Sequence, residues 1–481
     1  MNMPRRPILT LAVLALSFPA AAQSGSTSAG TYGAGTPGKG GFVPRAWIRG
    51  QPSVGSTTFK LALDQALGGA TAGMFLGVRP ADLPFLDLRL LVDLSSGAFG
   101  PFVFGLGGTA GTAGAGSLEL PVAIPGTTSL VGTTLYFQWL VADSAATSGL
   151  VGSNGLRVTI SPSPLVFAGG SGLIEYVPGA SSTTAGPALR NIYDMHFDRT
   201  GTMGLVCSTS TVVLYDMQSP ARTVLATAAM GQTVNCLAVH PAGDRAYVVL
   251  PDRTNPKIDI LDIDRNSTNF GKVIGTISGL PSTGLGDMEG VSLSADGRVL
   301  AVAVLGLIGT KGVLIIDVDP TSTTRDTYVK SLPVSIGSFC TDADISPDGK
   351  TVYVCSGNLG PGSAVGRIDV ASGVLLNSAS AGDFAVDIDL DPLGRFLIVA
   401  CPNSKLLTHV DLTPGANFFK ATNLPATTSR FFSVALTPDG SQAIAIGDGS
   451  GTSDLFGFDM TTLTTAWSVS NSVSGGAIAV R

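Results

Sequence analysis

The sequence predicts an all-β chain in which an N-terminal antiparallel β-sandwich is followed by a seven-bladed β-propeller that a C-terminal strand closes. Two observations carry this prediction. A strand–turn–strand unit recurs six times after Asn191, and the roughly 120 residues before it contain short strand-like runs without a helical period. The composition agrees, since 62 Gly and 29 Pro separate many apolar runs and only 13% of the residues are charged.

The first 22 residues have the pattern of an export signal. Arg5 and Arg6 precede an apolar stretch, and three alanines at 20–22 form a small-residue cleavage site before Gln23. The sequence therefore predicts a secreted protein, extracellular or periplasmic. No other stretch is long and apolar enough to predict a transmembrane segment. A formal net charge of −6 argues against nucleic acid as a partner.

A glycine-rich leader or linker at 23–40 precedes a module at 41–160. The module contains about eight strand-like runs bounded by Gly, Pro and Ser, and some of them alternate polar and apolar residues, as at 135–141. The simplest fold for such a pattern is a two-sheet antiparallel sandwich. Because the module has neither His nor Cys, any function there is expected to be binding or spacing.

The six repeats between 191 and 459 share a turn that ends in glycine. These glycines are Gly201, Gly243, Gly297, Gly349, Gly394 and Gly440, at intervals of 42, 54, 52, 45 and 46 residues. Such intervals are typical of propeller blades. Two apolar residues lie four and six positions before each glycine, as expected on one face of a strand. Each unit ends with a third strand closing on Asp, which suits a turn.

The two ends of the repeat region predict a seventh blade. The chain finishes at 476–481 with an apolar run that matches a first strand without a second strand after it. Before the first repeat, 165–168 and 173–177 match second and third strands that lack a first strand. Pairing of these parts predicts a propeller over 163–481 whose C-terminal strand removes the exposed edges.

One repeat carries a family resemblance. Residues 343–354, Ala-Asp-Ile-Ser-Pro-Asp-Gly-Lys-Thr-Val-Tyr-Val, resemble the YVTN-type repeat of lactonase-like seven-bladed β-propellers, whose signature is Ile-Ala-x-Ser-Pro-Asp-Gly-Lys-x-x-Tyr-Val. The resemblance covers about 163–481 and implies the propeller fold. It leaves the function open, because related propellers include lactonase-like enzymes, cell-surface proteins and binding scaffolds.

Polar residues lie opposite the apolar pair on several first strands. Since first strands line the channel of a propeller, we expect these residues to form an acidic ring at one mouth. The channel candidates are Asp194, His196, Asp287, Glu289, Asp342, Asp344, Asp387 and Asp389. The favoured interpretation is structural, with carboxylates that accept hydrogen bonds from neighbouring backbone. The alternative is a bound Ca²⁺, which takes about 6 to 8 oxygen ligands.

Two functions remain open at this point. The favoured one is a non-enzymatic scaffold that binds a protein, a glycan or a small molecule at the channel mouth and at the loops 263–273, 279–287 and 417–430. The alternative is a lactonase-like hydrolase of small lactones or carbohydrate derivatives. Its only plausible catalytic set is Asp194, His196, Glu289 and Asp342. A nucleophile elbow is missing, and three scattered His residues argue against a zinc centre.

The chain has five cysteines, an odd number for an exported protein. Cys340 and Cys355 flank the turn at Gly349 almost symmetrically, which suggests a disulfide across the hairpin. The other interpretation is that each cysteine is a small packing residue on its strand. His240, next to a turn proline, is expected to be exposed.

Overall fold

The computed structural model describes residues 9–10 and 29–480, with gaps at 51, 57–58, 96, 162–164, 178–181, 199, 218, 220, 252–254, 282–287, 307–310, 359–361, 426, 428, 449–452 and 472–474. Within these residues the chain forms strands and two short 3₁₀ helices, Lys39–Gly41 and Thr128–Leu130. No helix among them has the length and apolar character needed to cross a membrane. The predicted export signal lies outside the described residues, apart from Leu9–Thr10.

The chain divides into two compact units. The front unit ends at Ser163, and the back unit runs from Pro164 to the end of the chain. In the front unit, one sheet has the strand order Leu9–Thr10, Gly116–Ala123, Lys60–Ala66 and Arg45–Arg49. A second sheet has the order Ala29–Tyr32, Gly155–Thr159, Thr134–Ala142, Thr71–Gly77 and Phe99–Gly105, and Leu150–Gly152 also pairs with Thr134–Ala142. Pro80–Phe85 and Leu88–Val92 form a separate hairpin.

One hydrophobic core joins the two larger sheets of the front unit. Trp139 and Met74 enter it from the second sheet, and Ile48 and Leu61 enter it from the first. The separate hairpin is attached through Gln138, whose side chain is 1% exposed. Its amide oxygen accepts from the N–H of Leu91 at 2.9 Å, and its amide nitrogen donates to the carbonyl of Arg89 at 2.9 Å. A buried polar side chain thus serves as a strand partner.

The described part of the back unit consists of four-stranded antiparallel sheets, numbered here 1 to 7. Sheets 1 to 3 contain Ile192–Phe197, Met203–Ser208, Thr211–Asp216 and Val224–Ala229; Cys236–Val239, Arg245–Leu250, Lys257–Asp262 and Val273–Ile277; and Met288–Leu293, Val299–Val304, Gly312–Asp317 and Thr327–Pro333. Sheets 4 to 6 contain Phe339–Ile345, Thr351–Gly357, Ala364–Asp369 and Leu375–Ser380; Asp387–Leu390, Phe396–Cys401, Leu406–Asp411 and Ala421–Asn423; and Arg430–Leu436, Gln442–Asp448, Ser453–Asp459 and Thr464–Asn471. Sheet 7 contains Gly475–Val480, Val166–Gly170, Leu173–Tyr176 and Thr184–Ala185.

The predicted turn chemistry is confirmed. All six turn glycines have positive φ, between 65° and 73°, a conformation that costs a residue with a Cβ atom. The third strands of sheets 1 to 6 end on Asp. The carboxylates of Asp262 and Asp411 accept from the backbone N–H two residues further on, at 3.0 Å and 2.8 Å.

A hydrophobic core lies at each junction between successive sheets. In sheet 1, Leu205 and Leu214 pack with Leu237 and Val248 of sheet 2. The pattern repeats at the junctions of sheets 2–3, 3–4, 4–5, 5–6, 6–7 and 7–1. The first strand of each sheet contacts the first strand of the next, and Gly475–Val480 contacts those of sheets 6 and 1. This arrangement supports a β-propeller.

The two ends of the back unit meet in sheet 7. Val166 pairs with Val480, and Ala168 pairs with Ile478, which confirms that the C-terminal strand joins strands from before the first repeat. Glu175 of sheet 7 forms a bidentate ion pair with Arg222 of sheet 1, with a shortest distance of 2.9 Å. The two side chains are 12% and 17% exposed, so the pair adds a directional contact to the apolar junction.

The outer edges of the sheets are blunted. The fourth strands of sheets 1, 2, 3, 4 and 6 each contain a register shift against the third strand, one or two residues before its terminal Asp. Sheets 5 and 7 instead have fourth strands of three and two residues. Bulges and very short strands both discourage pairing with another chain.

Removing the chain from Ala477 onward should destabilise the back unit. Ala477, Ile478 and Ala479 are at most 7% exposed, and their loss opens the cores on both sides of sheet 7. We expect the free energy of unfolding to fall by at least about 3 kcal/mol, with aggregation through the uncovered strand edge. Calorimetry of the truncated chain, beside a chain ending at Val480 as control, measures the effect. An unchanged melting temperature would contradict the closure.

Candidate functional site

The first strands of the back unit carry the predicted channel residues. Sheet 1 positions Asp194 and His196, sheet 3 positions Glu289, sheet 4 positions Asp342 and Asp344, and sheet 5 positions Asp387 and Asp389. Asp287 lies outside the described residues. Arg430 is the one Lys or Arg in the described first strands, so these strands form a predominantly acidic surface.

Carboxylates at one level connect the first strands of sheets 1, 4 and 5 to the next sheet. Oδ2 of Asp194 accepts from the N–H of Leu237 at 2.8 Å. Oδ2 of Asp342 accepts from Ile388 at 3.0 Å. The same bond recurs between Asp387 and the N–H of Val434, at 2.7 Å. These carboxylates therefore have the structural role that the sequence indicated.

A second row lies two residues further along the same strands. Asp344 accepts from the N–H of Leu390 at 2.7 Å, and Asp389 accepts from that of Leu436 at 2.6 Å. At the junction of sheets 3 and 4, Ser292 takes this position, and its hydroxyl accepts from Ile345 at 3.3 Å. Ser292 is not among the predicted channel residues, although alignment on the turn glycine places it level with Asp344.

Glu289 belongs to a different bridge. The side-chain amide of Asn235 on sheet 2 donates to the carbonyl of Met288 at 2.6 Å and to Oε2 of Glu289 at 3.1 Å. Asn235 was also missed, because it is neither a carboxylate nor a His. Alignment of the repeats could have identified Asn235, because it lies one residue before the position that corresponds to Asp194.

Loss of hydration raises the pKa of four of these carboxyl groups. It is the main cause for Asp342 and Asp389, whose pKa values lie well above the ordinary range, and the negative charges of Asp387 and Asp344 raise them further. The pKa values of Asp344 and Asp387 also rise through burial, although hydrogen bonds to their charged forms offset part of the rise. The four residues are only partly buried.

His196 is the imidazole of this acidic surface. Its Nε2 lies 3.5 Å from Oδ2 of Asp194, and its side chain is 41% exposed. Burial opposes the charged imidazolium, but the carboxylates of Asp194, Asp344 and Asp387 outweigh it and raise the pKa of His196. Because these carboxylates come from sheets 1, 4 and 5, their first strands surround a common centre, which we call the channel.

The four residues of the predicted catalytic set lie in one region. Asp194, Asp342 and Glu289 all act electrostatically on the thiol of Cys236, and His196 contacts Asp194. Their proximity does not amount to a catalytic arrangement. Two of the carboxylates are committed to backbone N–H groups of the next sheet, and Glu289 accepts from Asn235.

The structure corrects two predictions about single side chains. Cys340 and Cys355 are free buried thiols rather than a disulfide. A register shift between Cys340 and Asp342 places the two cysteines in different cores, on opposite faces of sheet 4. His240 is 4% exposed rather than exposed, because the turn of sheet 3 covers it and its Nε2 lies 3.1 Å from the carbonyl oxygen of Gly297.

The described residues contain no group of three or more His, Cys, Asp or Glu side chains arranged to hold a metal ion. No protein-family model matches the chain, and no curated protein matches it. A chain of Kuenenia stuttgartiensis hydrazine synthase is similar in structure, with a TM-score of 0.49, 18% identity, and coverage of 63% of this chain and 92% of that chain. A chain of a mitotic checkpoint complex has a TM-score of 0.47, 17% identity, and coverage of 59% and 80%. Likeness at this level assigns no function.

Replacing Asp194 tests the bridging role of the channel carboxylates. Asp194→Ala leaves the N–H of Leu237, a fully buried residue, without its acceptor, so we expect a loss of about 1–2 kcal/mol in the free energy of unfolding. Asp194→Asn is the matched control, since its amide oxygen can keep the bond. Denaturant unfolding of both variants measures the difference, and equal stability of Asp194→Ala and the wild type would contradict a bridging role.

His196 should titrate above its ordinary pKa, because neighbouring carboxylates favour its charged form. A raised pKa in the folded state gives stability that is fully present below the unfolded value of about 6.5 and is lost as pH rises through the folded value. His196→Gln should therefore lower the melting temperature most near pH 6 and least near pH 9. Thermal melts across this range test it, and a loss that grows with pH would refute it.

Proposed function

We propose that the chain is an exported protein in which an antiparallel β-sandwich precedes a seven-bladed β-propeller of the YVTN type, and that it acts as a non-enzymatic binding scaffold. Support for the propeller comes from the succession of four-stranded sheets and from the pairing of Val166–Gly170 with Gly475–Val480. The two sheets of the front unit that share one core support the sandwich. The basic and apolar pattern of 1–22 supports export, to the extracellular space or the periplasm.

The observation that carries the scaffold proposal is the use of the channel carboxylates. Asp194, Asp342, Asp344, Asp387 and Asp389 each accept a backbone N–H from the next sheet. Residues that hold sheets together in this way are poorly placed to exchange protons with a substrate. A lactonase-like hydrolase is therefore the weaker alternative, and binding is expected at the channel mouth and in the loops between strands.

The channel mouth has contact groups that the repeat itself does not require. Tyr193 and Phe432 lie near the beginning of the first strands of sheets 1 and 6, at register shifts, and are 45% and 36% exposed. A bulge redirects side chains, and exposed aromatic residues are typical contacts in binding sites. These two residues are where we expect a protein, a glycan or a small molecule to bind.

A double variant tests the mouth as a binding surface. Tyr193→Ala with Phe432→Ala should reduce affinity at least about tenfold for glycans that the full-length protein binds on a glycan array, as measured by calorimetric titration. The matched control replaces Val329 and Leu376, which are 53% and 44% exposed on outer strands, by alanine. Equal losses in the two double variants would contradict binding at the mouth.

An assay of lactone hydrolysis distinguishes a scaffold from a hydrolase. We expect no acceleration of lactone hydrolysis over buffer. Hydrolysis by the wild type that disappears in His196→Gln would favour the enzyme instead, because His196 is the imidazole of the predicted catalytic set and can transfer a proton. A parallel titration with Ca²⁺ tests the cation hypothesis directly.

A further inference from the structure

Sheets 4 and 5 bring two carboxyl groups into hydrogen-bond contact. The side chain of Asp342 bonds to that of Asp387. Asp342 also accepts from the N–H groups of Ala343 and Ile388, at 2.8 Å and 3.0 Å. Asp387 accepts from the N–H of Val434 at 2.7 Å. Backbone groups from three sheets thus fix both carboxyl groups where they meet.

Sheet 3 has no side chain at the place where the carboxyl group of Asp342 lies. In the aligned repeats, Gly290 lies level with Asp194, Asp342 and Asp387, and it is the member of this set without a side chain. A Cβ atom on Gly290 would lie 1.6 Å from Oδ1 of Asp342. The carboxyl group of Asp342 is therefore packed between the backbone of sheet 3 and the side chain of Asp387.

Two ionised carboxylates repel each other at hydrogen-bond distance, and a hydrogen bond between them requires a proton. We propose that Asp342 and Asp387 share one proton at neutral pH, and that the junction of sheets 4 and 5 is a pH-sensitive joint that weakens when this proton leaves. Burial together with the charge of Asp387 raises the pKa of Asp342 well above the ordinary range, which agrees with this assignment.

The ionisable groups around the pair come from five sheets. They are Asp194 and His196 of sheet 1, Cys236 of sheet 2, Glu289 of sheet 3, Cys340, Asp344 and Cys355 of sheet 4, and Asp389 of sheet 5. Sheet 6 contributes the hydroxyl of Ser433, which lowers the pKa of Asp387. The three thiols are buried and their pKa values are raised, so they are neutral at pH 7. Apart from His196, the charged neighbours are carboxylates, and their repulsion favours retention of the proton.

The direction of the pH effect follows from linkage. A carboxyl group whose pKa is higher in the folded state takes up a proton on folding. The free energy of unfolding therefore falls as pH rises from the ordinary carboxyl pKa of about 4 through the raised value. The stability that depends on the shared proton is present in acid and is lost toward alkaline pH.

Asp387→Asn in the full-length protein tests the joint. The asparagine keeps an oxygen for the N–H of Val434 and offers Asp342 an N–H that no pH change removes. Its melting temperature should fall about half as much as that of the wild type between pH 5 and pH 8. The infrared carbonyl band of protonated carboxyl groups, present in the wild type at pH 7, should weaken in this variant.

Controls make the result specific to the pair. Asp411→Asn removes a carboxylate that also accepts a backbone N–H but is not among the groups around the pair, so it should keep the infrared band at wild-type strength. Asp342→Asn should weaken the band as Asp387→Asn does, and it replaces that variant if the latter does not fold. The absence of the band in the wild type at pH 7, or an undiminished band in both variants, would overturn the proposal. Binding at the mouth is measured separately, so failure of one proposal leaves the other standing.

Discussion

The sheets of the back unit are apolar on both faces, and the rest of the unit depends on this constraint. Second strands such as Met203–Ser208 and Phe396–Cys401 are buried along their whole length, which requires a neighbouring sheet on either side. An open row of sheets would leave an apolar face uncovered at each end, whereas a closed succession leaves none. Gly475–Val480 meets this need, because it contributes to the cores on both sides of sheet 7.

In a closed succession of sheets, the inner backbone N–H groups of the first strands need hydrogen-bond acceptors, and the channel carboxylates provide them. The inner side of each first strand has no further strand to pair with, and an unpaired buried N–H costs about 1–3 kcal/mol. An aspartate is short enough to be held rigidly and can reach the first strand of the next sheet. In these bonds the acceptor and the donor residues are 43 to 47 positions apart, close to one repeat. Burial raises the pKa values of Asp342 and Asp389, and the accumulated negative charge raises them further. The same charge raises the pKa of His196 against the effect of burial.

Features that depend on residues close together in the chain could be predicted from the sequence. The turn glycines and the terminal aspartates were recognisable because positive φ and Asx turns depend on neighbouring residues alone. The pairing of 165–168 with the C-terminal strand was also predictable, since each end lacked the strands that the other supplied. The predicted disulfide between Cys340 and Cys355 was wrong because a bulge at Thr341 moves Cys340 to the other face of the sheet. Strand alternation in the sequence does not reveal a bulge. The predicted exposure of His240 was wrong because the turn of another sheet buries its side chain.

Departures from the repeat carry more functional information than the repeat. At one aligned position, Asn235 and Thr341 bond across to the next sheet, to the carbonyls of Met288 and Ala385. At the same position Tyr193 and Phe432 are exposed instead, in the two sheets that flank sheet 7. Phe432 lies at the junction of sheets 6 and 7, which the strand pairing in sheet 7 and a core already hold. Tyr193 lies at the junction of sheets 1 and 2, which the bond from Asp194 to Leu237 and a core already hold. Where other contacts already hold a junction, a bridging side chain at this position is not needed, and an exposed aromatic residue can occupy it.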